Sequence, residues 1–313
     1  MSTLFHRRLL MALLVSLAFA AFPTFSYATH SWGGYHWART TSSFTLQLGN
    51  NLSGTWPQYL SNAKDGGNDS SSLKLSRTGW NFSNVLDLSI VGGNAGSNLR
   101  KCPPTNGRVE VCNYNYGTNG WLGVAQIWLT GGHIYQGTVK LNDSYFNNSR
   151  YPKYNSAPWR NLVICQEVGH TFGLDHQDES FSLPNLGTCM DYTSDPTALS
   201  DILPRQDNEF PNDHDYQELA DIYKHTNDGT TTVLNSPSAP SGPGKGKMPP
   251  ALTDPDSDEP VRLGTAQWGK LVHSTNNGRT ERFELDLGGG HKVVTHVIWA
   301  DPEEEPGPQR GRR

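Results

Sequence analysis

Alternation of apolar and polar residues predicts β-strands through the first half of the chain. In segment 43–48, Phe44, Leu46 and Leu48 alternate with polar residues, which is the period of a strand with one buried face. Gly, Asn and Ser residues predict a loop over 65–72. Four later segments are also predicted as strands: 85–91, 110–114, 121–129 and 132–143. Segment 121–129 is also compatible with a buried turn.

Three segments have the apolar spacing of helices. The first covers 55–64. Pro158 is predicted to begin the second helix and Gly173 to end it, because glycine readily takes the positive φ of a helix end. Asn212 is the predicted N-cap of a last helix over 213–225.

The composition changes after the last predicted helix. Residues 227–260 are rich in Thr, Ser, Pro, Gly and Lys, which predicts a flexible linker. A small β-meander is predicted over 261–300, and a sheet of this size needs a docking surface to be stable. Residues 301–313 are predicted to be disordered. The three strands of the meander are predicted at 267–272, 279–287 and 292–299.

The first 28 residues have the pattern of a secretory signal peptide. Arg7 and Arg8 precede an apolar run, and small residues lead to a predicted cleavage site after Ala28. A membrane anchor is the less favoured alternative, because the apolar run is shorter than the ~20 residues of a spanning helix. Removing the two arginines lowers the formal net charge from −5 to −7, which disfavours nucleic acid as a partner. We therefore expect a secreted protein with no membrane contact after cleavage.

Candidate chemistry is concentrated in the stretch CQEVGHTFGLDHQDES. Gln166 and His170 are four residues apart, so they share one face of a helix. Glu167 also faces the space between them. An unbroken helix would carry His176 to the opposite side, so the helix must end first, and Gly173 permits that turn. These side chains can then converge on one ion.

The pattern QExxHxxGxxH resembles HExxHxxGxxH, the zinc-binding stretch of the metzincin metallopeptidases, with glutamine at the first ligand position. The following GTCMDYT resembles the methionine turn of that family, with Met190 beneath the metal. The resemblance implies an α+β, zincin-like catalytic domain over 29–226. That fold has a mixed twisted sheet, a metal helix, the methionine turn and a C-terminal helix, and here it would carry the small β-rich C-terminal appendage.

The same resemblance implies a secreted zinc metalloendopeptidase, expected to be monomeric, that cleaves extracellular proteins or peptides. Gln166, His170 and His176 would hold Zn²⁺. Glu167 would be the general base for the attacking water, and Tyr192 would stand near the scissile carbonyl. Substrate is expected to pair, as an added strand, with the segment 132–143 at the edge of the cleft. Calcium is common in related domains, and the Asp-rich loop 65–69 is a weak candidate for it.

Glutamine at position 166 leaves three interpretations open. The amide oxygen of Gln166 ligates zinc in an active peptidase, or His170 and His176 hold an ion with slight turnover, or the fold is an inactive pseudoenzyme that binds peptides or surfaces. His133 was considered as a replacement ligand, although a structural histidine is the simpler interpretation.

A carbohydrate- or surface-binding protein is the competing class. It would be favoured if Trp32, Trp37 and Trp268 formed one exposed patch.

The four cysteines fall in the part predicted to be exported, where oxidation is expected. Cys102 and Cys112 bracket a turn and most simply pair with each other. Cys165 and Cys189 then remain, and their disulfide would tie the metal helix to the methionine turn. The other two pairings of four cysteines stay open at this point.

Overall fold

The computed structural model describes residues 30–71, 73–203, 205–226, 229–232, 268–275 and 278–301. The predicted signal peptide, most of the predicted linker and the tail after Asp301 lie outside these residues. Within the described residues, no helix has both the length and the apolar character needed to span a bilayer.

Eleven strands and four α-helices make up the described chain. The strands are β1 His36–Trp37, β2 Phe44–Asn51, β3 Gly66–Asn68, β4 Ser76–Thr78, β5 Leu86–Gly92, β6 Val109–Tyr114, β7 Trp121–Thr130, β8 His133–Asn142, β9 Lys270–Thr275, β10 Thr280–Gly288 and β11 His291–Trp299. The helices are α1 Trp56–Asp65, α2 Asp143–Phe146, α3 Ala157–His170 and α4 Asp213–Ile222, with a 3-10 helix at Trp80–Phe82.

One large mixed sheet organises these elements, in the order β5-β2-β6-β8-β7-β11-β10-β9, with β1 beside β8. Strands β5, β2, β6 and β8 are parallel to one another. Strand β7 is antiparallel to β8, and β11, β10 and β9 continue the sheet in antiparallel pairs. The fold is thus mixed α/β with a large sheet and few helices.

The three C-terminal strands do not form a separate appendage, because β11 pairs with β7 along most of its length. The register runs from His291 opposite Thr130 to Trp299 opposite Trp121. Val294 and Ile298 enter the main hydrophobic core on one face of the sheet. The other face carries a smaller cluster: Trp121, Val124, Trp268, Phe283, Val297 and Trp299. The docking surface that the meander needs is therefore β7.

Three predictions about elements are corrected. The segment 65–72 contains β3, which pairs with β4, because Gly and Asn residues also tolerate a short antiparallel pair. The segment 132–143 is a strand but not an edge, since β8 lies between β6 and β7. Strand β9 begins at Lys270, three residues after the predicted start at 267.

The predicted helices are confirmed close to their expected bounds. Helix α1 buries Trp56, Leu60 and Ala63. In α4, the Asn212 side chain accepts hydrogen bonds from the backbone at His214 and Asp215, so Asn212 is the N-cap. Helix α3 packs against both α1 and β7, which places its last turn beside the antiparallel part of the sheet.

Candidate metal site

Helix α3 brings three of the predicted site residues together at its C-terminal end. Gln166, Glu167 and His170 are all fully buried. The helix begins after Ser156 with a proline in its first turn, which fits the fixed φ of that residue. It is buried along nearly its whole length, so these polar side chains face protein rather than water.

The chain turns back at Gly173 as the sequence predicts. Gly173 has φ of +96°, and a Cβ there would lie 1.8 Å from the Tyr35 carbonyl oxygen. Only glycine fits this combination of backbone conformation and close approach. The turn carries His176 back to the helix, so that the ring centroids of His170 and His176 are 4.6 Å apart.

The imidazole of His170 has one free nitrogen. Its Nδ1 donates to the Leu174 carbonyl at 2.9 Å, which fixes the tautomer and leaves a lone pair on Nε2. His170 Nε2 is buried without a hydrogen-bond partner among the described residues. The ring stacks on Trp32, with centroids 4.6 Å apart and an interplanar angle of 9°. Burial lowers the pKa of His170 well below its ordinary value, which keeps the ring neutral.

His176 lies between carboxylates and a tyrosine. Its Nδ1 is 3.3 Å from Asp175 Oδ1 and 3.5 Å from Glu179 Oε1, and its Nε2 is 3.0 Å from the Tyr192 hydroxyl. Burial acts to lower the pKa of His176, but the Asp175 and Glu179 carboxylates outweigh it and raise that pKa above its ordinary value. Nδ1 of His176 thus faces the two carboxylates, and Nε2 faces the candidate metal site.

A third histidine, His296 of β11, completes the group. His170, His176 and His296 are buried and can each offer a nitrogen, these atoms lying within 4.8 Å of one another, so the group could hold a metal ion. The centroid of the His296 ring is 4.0 Å from that of His170 and 4.9 Å from that of His176. Sequence analysis did not identify this residue. The available signal was its position between Val294 and Ile298 on the core-facing side of a strand, where a histidine is unusual.

His296 also connects the two residues expected to do chemistry. Its Nδ1 is 3.2 Å from Glu167 Oε2, and its Nε2 is 3.0 Å from the Tyr192 hydroxyl. Burial raises the pKa of the Glu167 carboxyl and of the Tyr192 phenol well above their ordinary values. It lowers the pKa of His296. The imidazole therefore lies between the carboxyl that the metzincin resemblance predicts as the general base and the hydroxyl that it predicts near the scissile carbonyl.

The two polar atoms of the Gln166 amide have different surroundings. Its Nε2 donates to the Cys189 carbonyl at 3.0 Å, whereas Oε1 is buried with no hydrogen-bond partner in the described part of the chain. Oε1 of Glu167 is in the same situation. Buried polar atoms are almost always paired, so the unpaired Gln166 Oε1 and His170 Nε2, one helix turn apart, are compatible with a site that accommodates a cation.

The methionine turn lies directly beneath helix α3. A Cβ on Gly169 would be 2.7 Å from Met190 Sδ, so the methionine packs against the last turn of the helix. The disulfide Cys165–Cys189 joins the residue before Gln166 to the residue before Met190. Cys102–Cys112 is the second disulfide, so both predicted pairings are confirmed. Two disulfides indicate folding in an oxidising, extracellular environment.

The remaining candidate residues lie elsewhere or are buried. His133 stacks edge-on with His36 at 4.8 Å and does not belong to the three-histidine group. Trp32, Trp37 and Trp268 are all buried, which removes the exposed aromatic patch that a carbohydrate-binding surface would need.

Within the described chain, Asp65 and Asp69 are not among the clusters whose ligand atoms are close enough to share an ion. The structure therefore gives no support to calcium at the 65–69 loop.

Solvent reaches the site from one side. An open pocket of about 550 Å³ borders His176 and lies between the 175–180 loop and the C-terminal strands. Its lining includes Asp175, Glu179, His273 and Arg282. Of the three histidines, His176 is the one that lines this pocket.

Comparisons with protein-family models, with curated proteins and with solved structures found no match. Fold and site define a disulfide-bonded, mixed α/β protein with a buried, histidine-rich group that could hold a metal ion. The metzincin resemblance and the zincin-like fold class stay predictions that rest on the chain's own residues.

Proposed function

We propose that this chain is a secreted, zinc-dependent endopeptidase of the metzincin type that acts on extracellular proteins or peptides. The observation that carries the proposal is the buried contact of His170 with His176, to which Glu167 is joined through His296. A helix and a glycine turn produce this arrangement, as the QExxHxxGxxH spacing requires. The methionine turn beneath the helix adds support.

The donor set suits zinc. Imidazole nitrogens are its preferred neutral ligands, and His170 presents an unpaired Nε2 for the purpose. The unpaired Oε1 of Gln166 is a further donor on the same helix face. When bound, zinc supplies a Lewis acid that activates water and polarises a peptide carbonyl.

Glu167 is the general base in this proposal. Burial raises the pKa of the Glu167 carboxyl, which makes the carboxylate a stronger base than an exposed one. Tyr192 keeps its proton because burial raises the pKa of the phenol, so its hydroxyl can donate to a developing oxyanion. The two groups approach the same space, which His296 now fills.

A catalytically inactive, peptide-binding protein is the second candidate. It is favoured by one observation, the complete burial of Glu167, since a base that substrate cannot reach performs no hydrolysis.

Glu167→Gln in the full chain tests the proposed function. We expect the purified chain to hold about one zinc and to cleave casein slowly, and we expect Glu167→Gln to keep the zinc but to lose about 10²- to 10⁴-fold in cleavage rate. Gln166→His should bind zinc more tightly, because nitrogen replaces an amide oxygen. Zinc content by mass spectrometry and peptide release are the measurements.

The matched control is Glu284→Gln, which removes a carboxylate of β10 that pairs with Lys292 outside the site. It should leave both zinc content and cleavage unchanged. Zinc-loaded protein that shows no cleavage in any variant, including Gln166→His and the variant of His296 described below, would rule out the peptidase and leave the binding protein.

A further inference from the structure

Strand β11 covers what would otherwise be an open sheet edge. Among the described strands, β7 has β8 on one side and β11 on the other, and the pairing spans His291 to Trp299. An open edge of this kind is where extended peptides bind, by adding a strand. A segment of the chain itself therefore takes the place of an extended ligand along β7.

One side chain of this strand differs in chemistry from its neighbours on the same face. Val294 and Ile298 point into the main core, and His296 lies between them, 1% exposed. A polar ring at a core position is costly unless its nitrogens are satisfied. The register places His296 opposite Ala125 of β7, close enough to the end of helix α3 for a 3.2 Å approach to Glu167.

The contacts of Nδ1 indicate which nitrogen of each ring faces the site, although Nδ1 of His176 lies near its carboxylates without a hydrogen bond. Nδ1 of His170 donates to a carbonyl, Nδ1 of His176 faces two carboxylates, and Nδ1 of His296 faces the Glu167 carboxyl. With Nδ1 as the protonated nitrogen in each ring, all three Nε2 atoms carry lone pairs. The Nε2 atoms of His176 and His296 both lie 3.0 Å from the Tyr192 hydroxyl, which has one proton to donate.

Two of these imidazole lone pairs, on His176 and His296, therefore share a single hydroxyl proton, and the third, on His170, has no protein partner in the described part of the chain. A cation is the partner that satisfies such a set, and the outward Nδ1 contacts are those that usually orient histidine ligands of a metal. The group also meets the distance requirement, since its candidate ligand atoms lie within 4.8 Å of one another. The Nε2 atom of the group that lacks any protein partner among the described residues is that of His170.

Two ion pairs hold the C-terminal strands against the loop that carries His176. Arg282 of β10 pairs with Asp175 at 2.9 Å, and His273 of β9 contacts Glu179 at 2.9 Å. Both carboxylates are also the ones that face Nδ1 of His176. The strands are thus connected to the site at its outer ligand contacts as well as at His296.

We propose that His296 is the third histidine ligand of a metal ion held by His170 and His176, and that β11 is thereby fixed as an internal occupant of the peptide-binding edge of β7. The first part is a statement about metal binding alone. The second part rests on the proposed function. In this form the chain is a closed peptidase whose own strand and imidazole exclude substrate from Glu167.

Metal binding is tested with Zn²⁺ and Co²⁺ on the full-length protein, by chelator competition and by the visible spectrum of the Co²⁺ form. His296→Ala should weaken affinity at least about tenfold, since even the outer partners of metal ligands contribute about 10- to 100-fold. The matched control is His291→Ala, on the same strand, where the ring contacts Thr130 instead of the site. Hydrogen exchange of residues 291–299 should slow on adding Zn²⁺ in the wild type and the control only.

His296→Gln retains a polar side chain and serves as a second variant if alanine prevents folding. Unchanged affinity and an unchanged Co²⁺ spectrum in both variants would overturn the ligand assignment. Casein cleavage at Zn²⁺ concentrations that saturate each variant then tests the second part, because losing the imidazole that fixes β11 over Glu167 should raise the rate several-fold over wild type. Cleavage that falls in His296→Ala would overturn self-blocking and make His296 part of a working site. Weakened affinity with no cleavage in any variant would retain the ligand but reject the proposed peptidase.

Discussion

Gln166 shows how a single side chain can serve two requirements. A histidine at this position would use one nitrogen for a metal and the other for a hydrogen bond. The glutamine donates from Nε2 to the Cys189 carbonyl and keeps Oε1 unpaired. On the proposed metal site, His296 supplies the imidazole that position 166 lacks. The glutamine then holds the methionine turn through Nε2 and offers Oε1 as a weaker donor.

Asp191, in the methionine turn, makes a testable contribution to stability. Its Oδ2 accepts from the Leu186 backbone and from Asn208, both at 2.8 Å. Burial raises its pKa from 3.8 to about 7. Between these values the unfolded chain releases the proton and the folded chain keeps it, so the contribution of Asp191 to stability falls as the pH rises, and the loss is complete above pH ~7.

Asp191→Asn should remove this fall, because the amide oxygen still accepts both hydrogen bonds and does not titrate. Relative to wild type, the variant is expected to gain up to about 4 kcal/mol in unfolding free energy between pH ~4 and pH ~8. Urea unfolding at pH 5 and pH 8 measures the change. The exposed Asp221→Asn provides the control, and parallel pH curves for Asp191→Asn and wild type would contradict the assignment.

Local spacing predicts part of the candidate site. Helix periodicity places Gln166, Glu167 and His170 at one end of α3, and the turn at Gly173 returns His176 to His170. Met190 follows from the same short stretch. His296 could not be found this way, because its contact with Glu167 joins residues 129 positions apart through a strand pairing that no local pattern specifies.

The disulfide Cys165–Cys189 joins helix α3 and the methionine turn into one covalently linked unit. It closes a separation of 24 residues, and its removal as Cys165→Ala with Cys189→Ala should cost roughly 3 kcal/mol of stability. We also expect zinc affinity to fall, because the Cys189 carbonyl that orients Gln166 belongs to the same unit. Thermal unfolding and chelator competition measure the two effects.

The second disulfide provides the comparison. Cys102–Cys112 closes a separation of 10 residues away from the site, so its removal should lower stability by a similar amount and leave zinc affinity unchanged. Equal losses of affinity in both double variants would show that global destabilisation, and not the orientation of Gln166, is responsible.

The strands show where prediction from sequence ends. Alternation identified β2, β5 and β6 within a few residues, because the apolar face of each strand is visible in its own segment. The order of the strands in the sheet is harder to predict from the sequence than their positions along the chain. Strand β8 was expected at the edge and lies inside, and the C-terminal meander was expected as an appendage and extends the sheet. A strand's own residues do not specify which neighbour covers its edge, since many apolar strands offer similar backbone hydrogen bonds.

Across the whole molecule, both ends of the described chain meet at His170. Trp32 stacks on one side of the ring, and His296 lies with its centroid 4.0 Å from that of His170. Trp32 and His296 are themselves in ring contact at 6.0 Å. A metal at this point would link the beginning of the described chain, helix α3 and the last strand.

Metal removal should therefore lower the stability of the whole molecule. A ligand held at 100 times its dissociation constant stabilises by about 2.7 kcal/mol, which corresponds to a loss of about 5 to 10 °C in Tm when a chelator removes it. Calorimetry with and without Zn²⁺ measures the shift, and His296→Ala should show a smaller one. A Tm that is independent of zinc in the wild type would mean that the three-histidine group holds no zinc.

The pairing of β11 with β7 also has a consequence for the order of synthesis. The ribosome makes Glu167 129 residues before it makes His296, and at ~5 to 20 residues per second this delay is on the order of 10 s. Helices and short turns form in microseconds, so the segment from Gln166 to His176 can take shape long before its cover exists. On the proposed function, a chain that stops before β11 would carry a reactive centre without its inhibitor, and the synthesis of β11 would be the step that silences the enzyme.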